Sequence, residues 1–272
     1  MTPGRAGSKR VSRFTTLLDA ATDETFVTTS DAADLAALVE AVDGWSADGS
    51  VRVLTDDDTV RELRRTFLLS SQVADLTESG VVEARAESTD DPLSSLVVTD
   101  DRVSTLVGVS TDVVAAMNTE ATPFVDEVRQ ELQRRWERAE SLSLRAPPYS
   151  RMLETLEDEL GAAVRTDVER LLETTSASQR TEMMDPVQVS LLVGAKNEVQ
   201  FYELGRWGET TGLASRAKFS REKQTLEEAG LIDTEKIPRD IGRPRQRLVP
   251  GETLEHSKAS EIVEAAERAL FE

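Results

Sequence analysis

The chain has 272 residues, enough for roughly one to three domains that each bury a core, and its 51 Asp and Glu against 32 Lys and Arg leave a formal net charge of −19. It contains no cysteine, which excludes disulfides, thiolate nucleophiles and most structural zinc sites. No run approaches the ~18 apolar residues of a membrane span, and the basic start MTPGRAGSKRVSRF leads into no apolar leader core, so a cytoplasmic protein is expected. Only six of the basic residues are lysine. That balance fits a salt-accumulating cytoplasm, where a carboxylate-dense surface stays hydrated while charge is screened over about 3 Å at ~1 M salt.

Residues 1–10, with Gly, Ser, Lys and Arg and no apolar anchor, read as a disordered tail. From Val11 short β-rich runs alternate with helical patterns, the mark of an α/β layer structure, and residues 11–143 are expected to form a sensor or assembly domain. FTTLLDAA reads as a helix, ETFVTTS as a strand, and DAADLAALVEAVDG as a helix capped by Ser30 or Asp31 and ended by Gly44. SVRVLTD is a second strand. DDTVRELRRTFLL places carboxylates at a helix start, where negative charge is favoured, and SQVADLTESG continues the helical layer to Gly80. Residues 81–110 supply three further strands, the last two joined by a tight turn at Asp100-Asp101, giving a mixed sheet of about five strands.

From Thr122, a candidate cap with Pro123 at the first helical position, the period becomes helical through Val125, Val128, Leu132 and Trp136. Pro147 and Pro148 end that pattern. Beyond them Met152, Leu153, Leu156, Leu160, Val164, Val168, Leu171 and Leu172 predict one long helix over 150–175, whose apolar stripe needs a partner in its own domain or in a second subunit. Residues 144–185 therefore read as a helical connector.

Within 186–251 the pattern is helix, helix, turn, helix, hairpin. PVQVSLLVGAKNE and VQFYELGRWGETTGL are the first two helices, with Phe201, Leu204 and Trp207 at core spacing. In SRAKFSREKQTLEEAGLI, Ser215 is the N-cap, Gly230 the C-cap, and Phe219 and Leu226, with Leu231 and Ile232 just beyond, form the buried side. The opposite side carries Arg216, Lys218, Ser220, Arg221, Lys223 and Gln224, the residue types that read base edges and phosphates. LIDTEKIP and RQRLVP alternate as two strands around a tip that holds Arg239 and Arg243, with Arg245 and Arg247 on the return strand. That order is a winged helix-turn-helix, and Ser215, Arg216, Lys218, Ser220, Arg221, Lys223, Gln224, Arg239, Arg243, Arg245 and Arg247 are its expected contacts to double-stranded DNA. Residues 215–247 hold nine Lys or Arg against six Asp or Glu, a local +3 while the rest of the chain carries −22. Residues 252–272 read as a C-terminal amphipathic helix that either covers this domain or dimerises, and half-site reading by two-fold dimers makes a homodimer the expected state.

The block LGRWGETTGLASRAKFSREKQTLEEAGLIDTEKIPRDIGRPRQRL, with the acidic α/β region before it, resembles the haloarchaeal transcriptional regulator TbsP family. The resemblance implies a sequence-specific regulator acting beside sugar-responsive regulators of central carbon metabolism, with a small-molecule effector as a candidate ligand of the N-terminal domain. The N-terminal order of elements is also similar to the phospholipase D-like domain. Enzymes of that superfamily need a His-x-Lys motif, normally twice, whereas this chain has one histidine, His256, near its C-terminus. No catalytic residue, metal site or cofactor is expected: phosphate-loop and His/Cys metal patterns are missing, and TDDD at 55–58 and TDD at 99–101 read as an acidic helix start and an acidic turn. The alternatives are a winged helix that binds a partner protein and, more distantly, a degenerate nucleotide- or sugar-phosphate-binding enzyme.

Overall fold

A computed structural model describes residues 9–21, 24–45, 49–88, 93–110, 113–177, 184–238, 245–254, 262, 265–266 and 268–270. The chain forms two units, Met1–Arg65 with Gln72–Arg145 and Thr66–Ser71 with Ala146–Glu272.

The first unit is built on a mixed sheet. Its elements are α1 (Lys9–Asp19), β1 (Thr25–Thr28), α2 (Ala32–Asp43), β2 (Val51–Asp56), α3 (Asp57–Leu63), α4 (Phe67–Glu78, from Gln72 onward in this unit), β3 (Val82–Glu87), β4 (Leu96–Val98), β5 (Val103–Ser110), β6 (Val113–Thr119), α5 (Thr122–Arg138) and β7 (Glu140–Ser141). The strands run β6-β5-β4-β1-β2-β3-β7, with β1, β2 and β3 parallel and every other pair antiparallel. Because successive side chains point to opposite faces, each strand feeds two layers. Phe26 and Leu54 join Val125, Leu132 and Trp136 of α5 in one buried cluster, while Val53 faces Leu35 and Leu38 of α2 and Val73 of α4. Phe26 and Trp136 meet edge to face at 5.9 Å, and the Arg52 guanidinium lies 5.5 Å from both rings.

The expected strands of 24–110 and the helix after β1 form, as does the tight turn, where the Thr99 amide donates to the Arg102 carbonyl at 2.9 Å. Asp31, and not Ser30, caps α2 by accepting from the Ala33 amide at 2.7 Å. The sheet has seven strands among the described residues, two more than anticipated. β6 was missed because Ala115, Ala116, Met117 and Asn118 are all exposed on an edge strand, so no buried face imposes a period of two; β7 is only two residues long. The helix read over 57–69 is interrupted at 64–66 between α3 and α4. At α5 the cap is Ala121, without a side-chain bond, and Thr122 is already helical. α1 begins at Lys9, inside the stretch read as a tail, because Arg10 pairs with the buried carboxylate of Asp34, which also accepts from Ser95 Oγ at 2.7 Å. The acidic runs act structurally: Asp56 accepts from the Thr59 amide at 2.8 Å at the start of α3, Asp58 pairs with Arg61, and Asp101 accepts from Thr99 Oγ1 at 2.9 Å.

The second unit comprises α6 (Tyr149–Leu160), α7 (Ala162–Ala177), α8 (Pro186–Lys196), α9 (Phe201–Thr211), α10 (Arg216–Glu228), β8 (Ile232–Ile237) and β9 (Arg245–Pro250). The single helix expected over 150–175 is two, because Gly161 adopts φ 99 and ψ 158, a conformation that only glycine takes without strain. Met152, Leu153 and Leu156 of α6 and Val164, Val168, Leu171 and Leu172 of α7 are buried in one cluster with Leu191, Trp207, Phe219, Leu226 and Leu248, so their apolar stripe is covered within the unit. Ile262, Ala265 and Ala266, from the stretch read as a C-terminal helix, enter the same cluster; most of 252–272 lies outside the described residues.

α8 starts at a full capping box: Asp185 accepts from the Val187 amide at 2.8 Å, and the Asp185 amide donates to Gln188 at 3.2 Å. At its other end Asp167 of α7 accepts from Lys196 at 2.8 Å and Asn197 at 2.9 Å. Burial opposes ionisation of Asp167, but those hydrogen bonds and the Lys196 charge hold its carboxyl below the ordinary 3.8. The depressed carboxylate stabilises the fold above its unfolded-state value, and that contribution is lost as pH falls through the folded value. Stability should therefore be lower at about pH 3 than at about pH 5, on either side of the ordinary value. Asp167→Asn should cost about 1–3 kcal/mol at pH 7 and flatten that decline; denaturant unfolding at both pH values is the check, and an unchanged slope would contradict the assignment.

Candidate nucleic-acid interface

The direction of α10 is set from beneath. Trp207 and Leu204 of α9 and Phe219 and Leu226 of α10 are fully buried, and the Trp207 indole donates to Thr155 Oγ1 at 3.2 Å. The two helices approach so closely at Gly208 that an added Cβ would sit 2.2 Å from the Phe219 ring. Gly212, at φ 80, then ends α9, and Ser215 caps α10 by accepting from the Lys218 amide at 3.3 Å. Ala229 is the C-cap, one residue before Gly230.

With Phe219 and Leu226 turned inward, Ser215, Arg216, Ser220, Arg221 and Gln224 are exposed on the other side. Arg216, Ser220 and Gln224 recur every four residues and share one face. The wing strands β8 and β9 pair antiparallel from Ile232 opposite Pro250 to Ile237 opposite Arg245. Gln200 adds a bridge to Arg247, and the Leu248 amide donates to the Val199 carbonyl at 2.9 Å, tying the wing to the start of α9. That extended pairing is why α9 begins only at Phe201.

The cations are not bare. Arg216 Nε lies 2.7 Å from Glu209, Arg245 donates to Gln200 at 2.8 Å and Glu203 at 3.1 Å, and Arg247 bridges Glu198 at 2.9 Å and Glu235 at 2.6 Å. The hydrogen bond to Glu235 and then the charge of Glu198 raise the Arg247 pKa further above its already high value. Lys218 is paired with Asp185. Lys223, its side chain 12% exposed, is held by Glu227 at 2.6 Å and lies over the Phe201 ring at 5.5 Å. These two lysines thus flank the exposed face and do not lie on it. Gln224 donates to Glu228 at 2.8 Å, and Arg221 has no carboxylate partner among the described residues. Arg239 and Arg243 lie outside the described residues.

One exposed residue beside these arginines escaped the sequence reading. Tyr202 is 48% exposed, and its ring has the Arg216 guanidinium at 5.4 Å and the Arg245 guanidinium at 5.2 Å. It therefore joins α9, α10 and β9 at the surface. Its place in the sequence, beside Phe201 at a helix start, signals only a core stripe.

Three helices with a buried inner side, a capped third helix and a two-stranded wing define a winged helix-turn-helix domain. The chain belongs to the TbsP-like transcriptional regulators: the profile described as Transcriptional regulator TbsP-like, N-terminal, matches residues 7–147, and that described as Transcriptional regulator TbsP-like, C-terminal HTH domain, matches 148–267. A comparison with curated proteins finds no match. Among solved structures, TrmBL2, an archaeal chromatin protein with a novel mode of DNA binding, is 16% identical over 49% of this chain and 49% of its own, with a TM-score of 0.37. Nuc, a phospholipase D family member from Salmonella typhimurium, is 16% identical over 51% of this chain and 93% of its own, with a TM-score of 0.36. The matched part of TrmBL2 is about half of that protein's length.

Two substitutions check this geometry. Gly208→Ala should destabilise the protein by about 1–3 kcal/mol, because the added methyl meets a ring that cannot retreat into a packed core; an unchanged denaturation midpoint would contradict it. Tyr202→Leu should leave stability within about 0.5 kcal/mol yet weaken binding to duplex DNA by about 1 kcal/mol, measured by fluorescence anisotropy. Equal affinity would make Tyr202 a spectator.

Proposed function

We propose that the chain is a sequence-specific, double-stranded-DNA-binding transcriptional regulator and not an enzyme, acting as a homodimer in the cytoplasm of a haloarchaeon. The observation that carries the reading is the exposed ladder Arg216, Ser220 and Gln224 on a capped helix whose reverse side is anchored by Phe219 and Leu226. In a major groove, Arg forks onto guanine and Gln onto adenine, while Ser215, Ser220 and Arg221 meet backbone or base edges. Lys218 and Lys223 would reach phosphates from the flanks by releasing Asp185 and Glu227. Arg245 and Arg247 hold the wing against the backbone, with Arg239 and Arg243 at its tip for phosphates or a minor groove. The family resemblance supports target genes in sugar or central carbon metabolism, with the first unit receiving a small-molecule signal.

One observation favours the second reading, a winged helix that docks a partner protein: Arg216, Lys218, Arg245 and Arg247 each already contact a carboxylate. The two readings separate on DNA. Arg216→Ala or Gln224→Ala should reduce discrimination between a cognate and a scrambled duplex by about 1–3 kcal/mol, whereas Arg245→Ala should weaken both alike. Glu209→Gln should tighten binding, since it frees Arg216 from its competitor. Affinity should fall little, or rise, up to ~1 M KCl, because screening removes repulsion from the acidic bulk. Isotherms with no preference for any duplex, and a Glu209→Gln variant no tighter than the parent, would favour the partner protein.

A further inference from the structure

The first unit carries a second polar site. Beyond the ends of β2 and β3, a cavity of about 770 Å³ is lined by residues of α3, β3, α5 and the segment from Glu140 to Ser143. That volume is within the ~300–1,000 Å³ of small-molecule sites, but the lining is not the usual apolar one. Among the described residues its apolar lining is Val60, Ala86 and Leu142, and Arg61, Arg64, Arg135 and Arg138 line it together with Asp57, Glu87, Glu131 and Glu140.

The charges there are unequally engaged. Glu87 is held by Arg135, Glu131 by Arg134 at 2.8 Å, and Asp57 accepts from the Ser88 hydroxyl. Arg61 is paired with Asp58. Arg64 and Arg138, by contrast, reach only carbonyl oxygens, those of Ser143 at 3.2 Å and of Arg134 at 3.0 Å, and have no carboxylate partner among the described residues. Arg64 and Arg138 are both exposed, and what sets them apart from other surface arginines is that they line the same cavity. Each guanidinium still has donors free, and the fork geometry matches a tetrahedral oxyanion, whose several oxygens two arginines can share.

We propose that this cavity binds a small water-soluble molecule bearing a phosphate group, with Arg64 and Arg138 taking the phosphate and the hydrogen-bonding groups of Ser88, Ser143 and Glu140 facing its polar body. The proposal rests on the reading of the first unit as a signal-receiving domain and names its site and ligand class. At molar salt long-range attraction is screened, so the specificity lies in direct guanidinium contacts.

The test uses the full chain without DNA, in ~2 M KCl. Inorganic phosphate and glycerol 3-phosphate are titrated by calorimetry, with citrate as a carboxylate probe and the thermal midpoint followed in parallel. Saturable binding of both phosphate probes, weakened at least tenfold in Arg64→Gln/Arg138→Gln and less in Arg64→Lys/Arg138→Lys, is the expected result. A circular dichroism spectrum matching the parent's shows that the variants fold, and each single variant substitutes if the double does not. No saturable phosphate binding, equal binding in the folded glutamine variants, or saturable binding of citrate alone would overturn it. Because no DNA is present, a failure of DNA recognition and a failure of this site give separate results.

Discussion

The close approach of α9 and α10 at Gly208 is the contact on which the exposed face of the second unit depends. With no Cβ at that position, the Phe219 ring lies directly on the α9 backbone, and Trp207 beside it is pinned through Thr155 to α6. Rotation of α10 by one residue would move Phe219 out of this slot and turn Arg216, Ser220 and Gln224 away from the surface they share. A buried aromatic contributes roughly 1.5–3 kcal/mol, so the orientation of the polar face is maintained by the apolar one. The same cluster takes in the stripes of α6 and α7, which makes these helices part of the winged-helix core as well as a link to it.

On the proposed reading of a salt-accumulating cytoplasm, electrostatics acts at short range only. A chain of net charge −19 repels phosphate at low salt, and at molar salt screening reduces both that repulsion and any general attraction to a few ångströms. What remains is contact. The paired arginines fit this regime: each is held by a carboxylate and, at Tyr202, by an aromatic face, so it presents a fixed donor fork that can exchange one oxyanion for another with little change in net pairing. The cavity of the first unit likewise mixes arginines and carboxylates, but Arg64 and Arg138 there reach only carbonyl oxygens among the described residues.

Much of this was legible in the sequence where a local rule and the global fold agree. Ser215, Phe219, Leu226 and the alternation of IDTEKI and RQRLVP each specify the same winged helix, and the cap, buried side and hairpin form where expected. The edge strand β6 was hidden because nothing buries either face of Ala115–Asn118, and the break at Gly161 was hidden because the apolar stripe of α6 and α7 continues through it in register. Helical spacing places Lys218 and Lys223 beside the Arg216-Ser220-Gln224 line and not on it, and the ion pairs with Asp185 and Glu227 that hold them there come from outside the pattern of basic residues. Tyr202 and the pairing carboxylates Glu198, Glu203 and Glu209 belong to other elements, and only the folded chain brings them to the arginines.

The most direct test is selection of bound duplexes from a randomised library in ~2 M KCl by the full chain, with Gln224→Ala run beside it. An enriched, two-fold symmetric site with an adenine that the variant no longer selects is the predicted outcome. Enrichment that is identical for both proteins, or none for either, would contradict the assignment of the exposed face of α10 as a reader of DNA sequence.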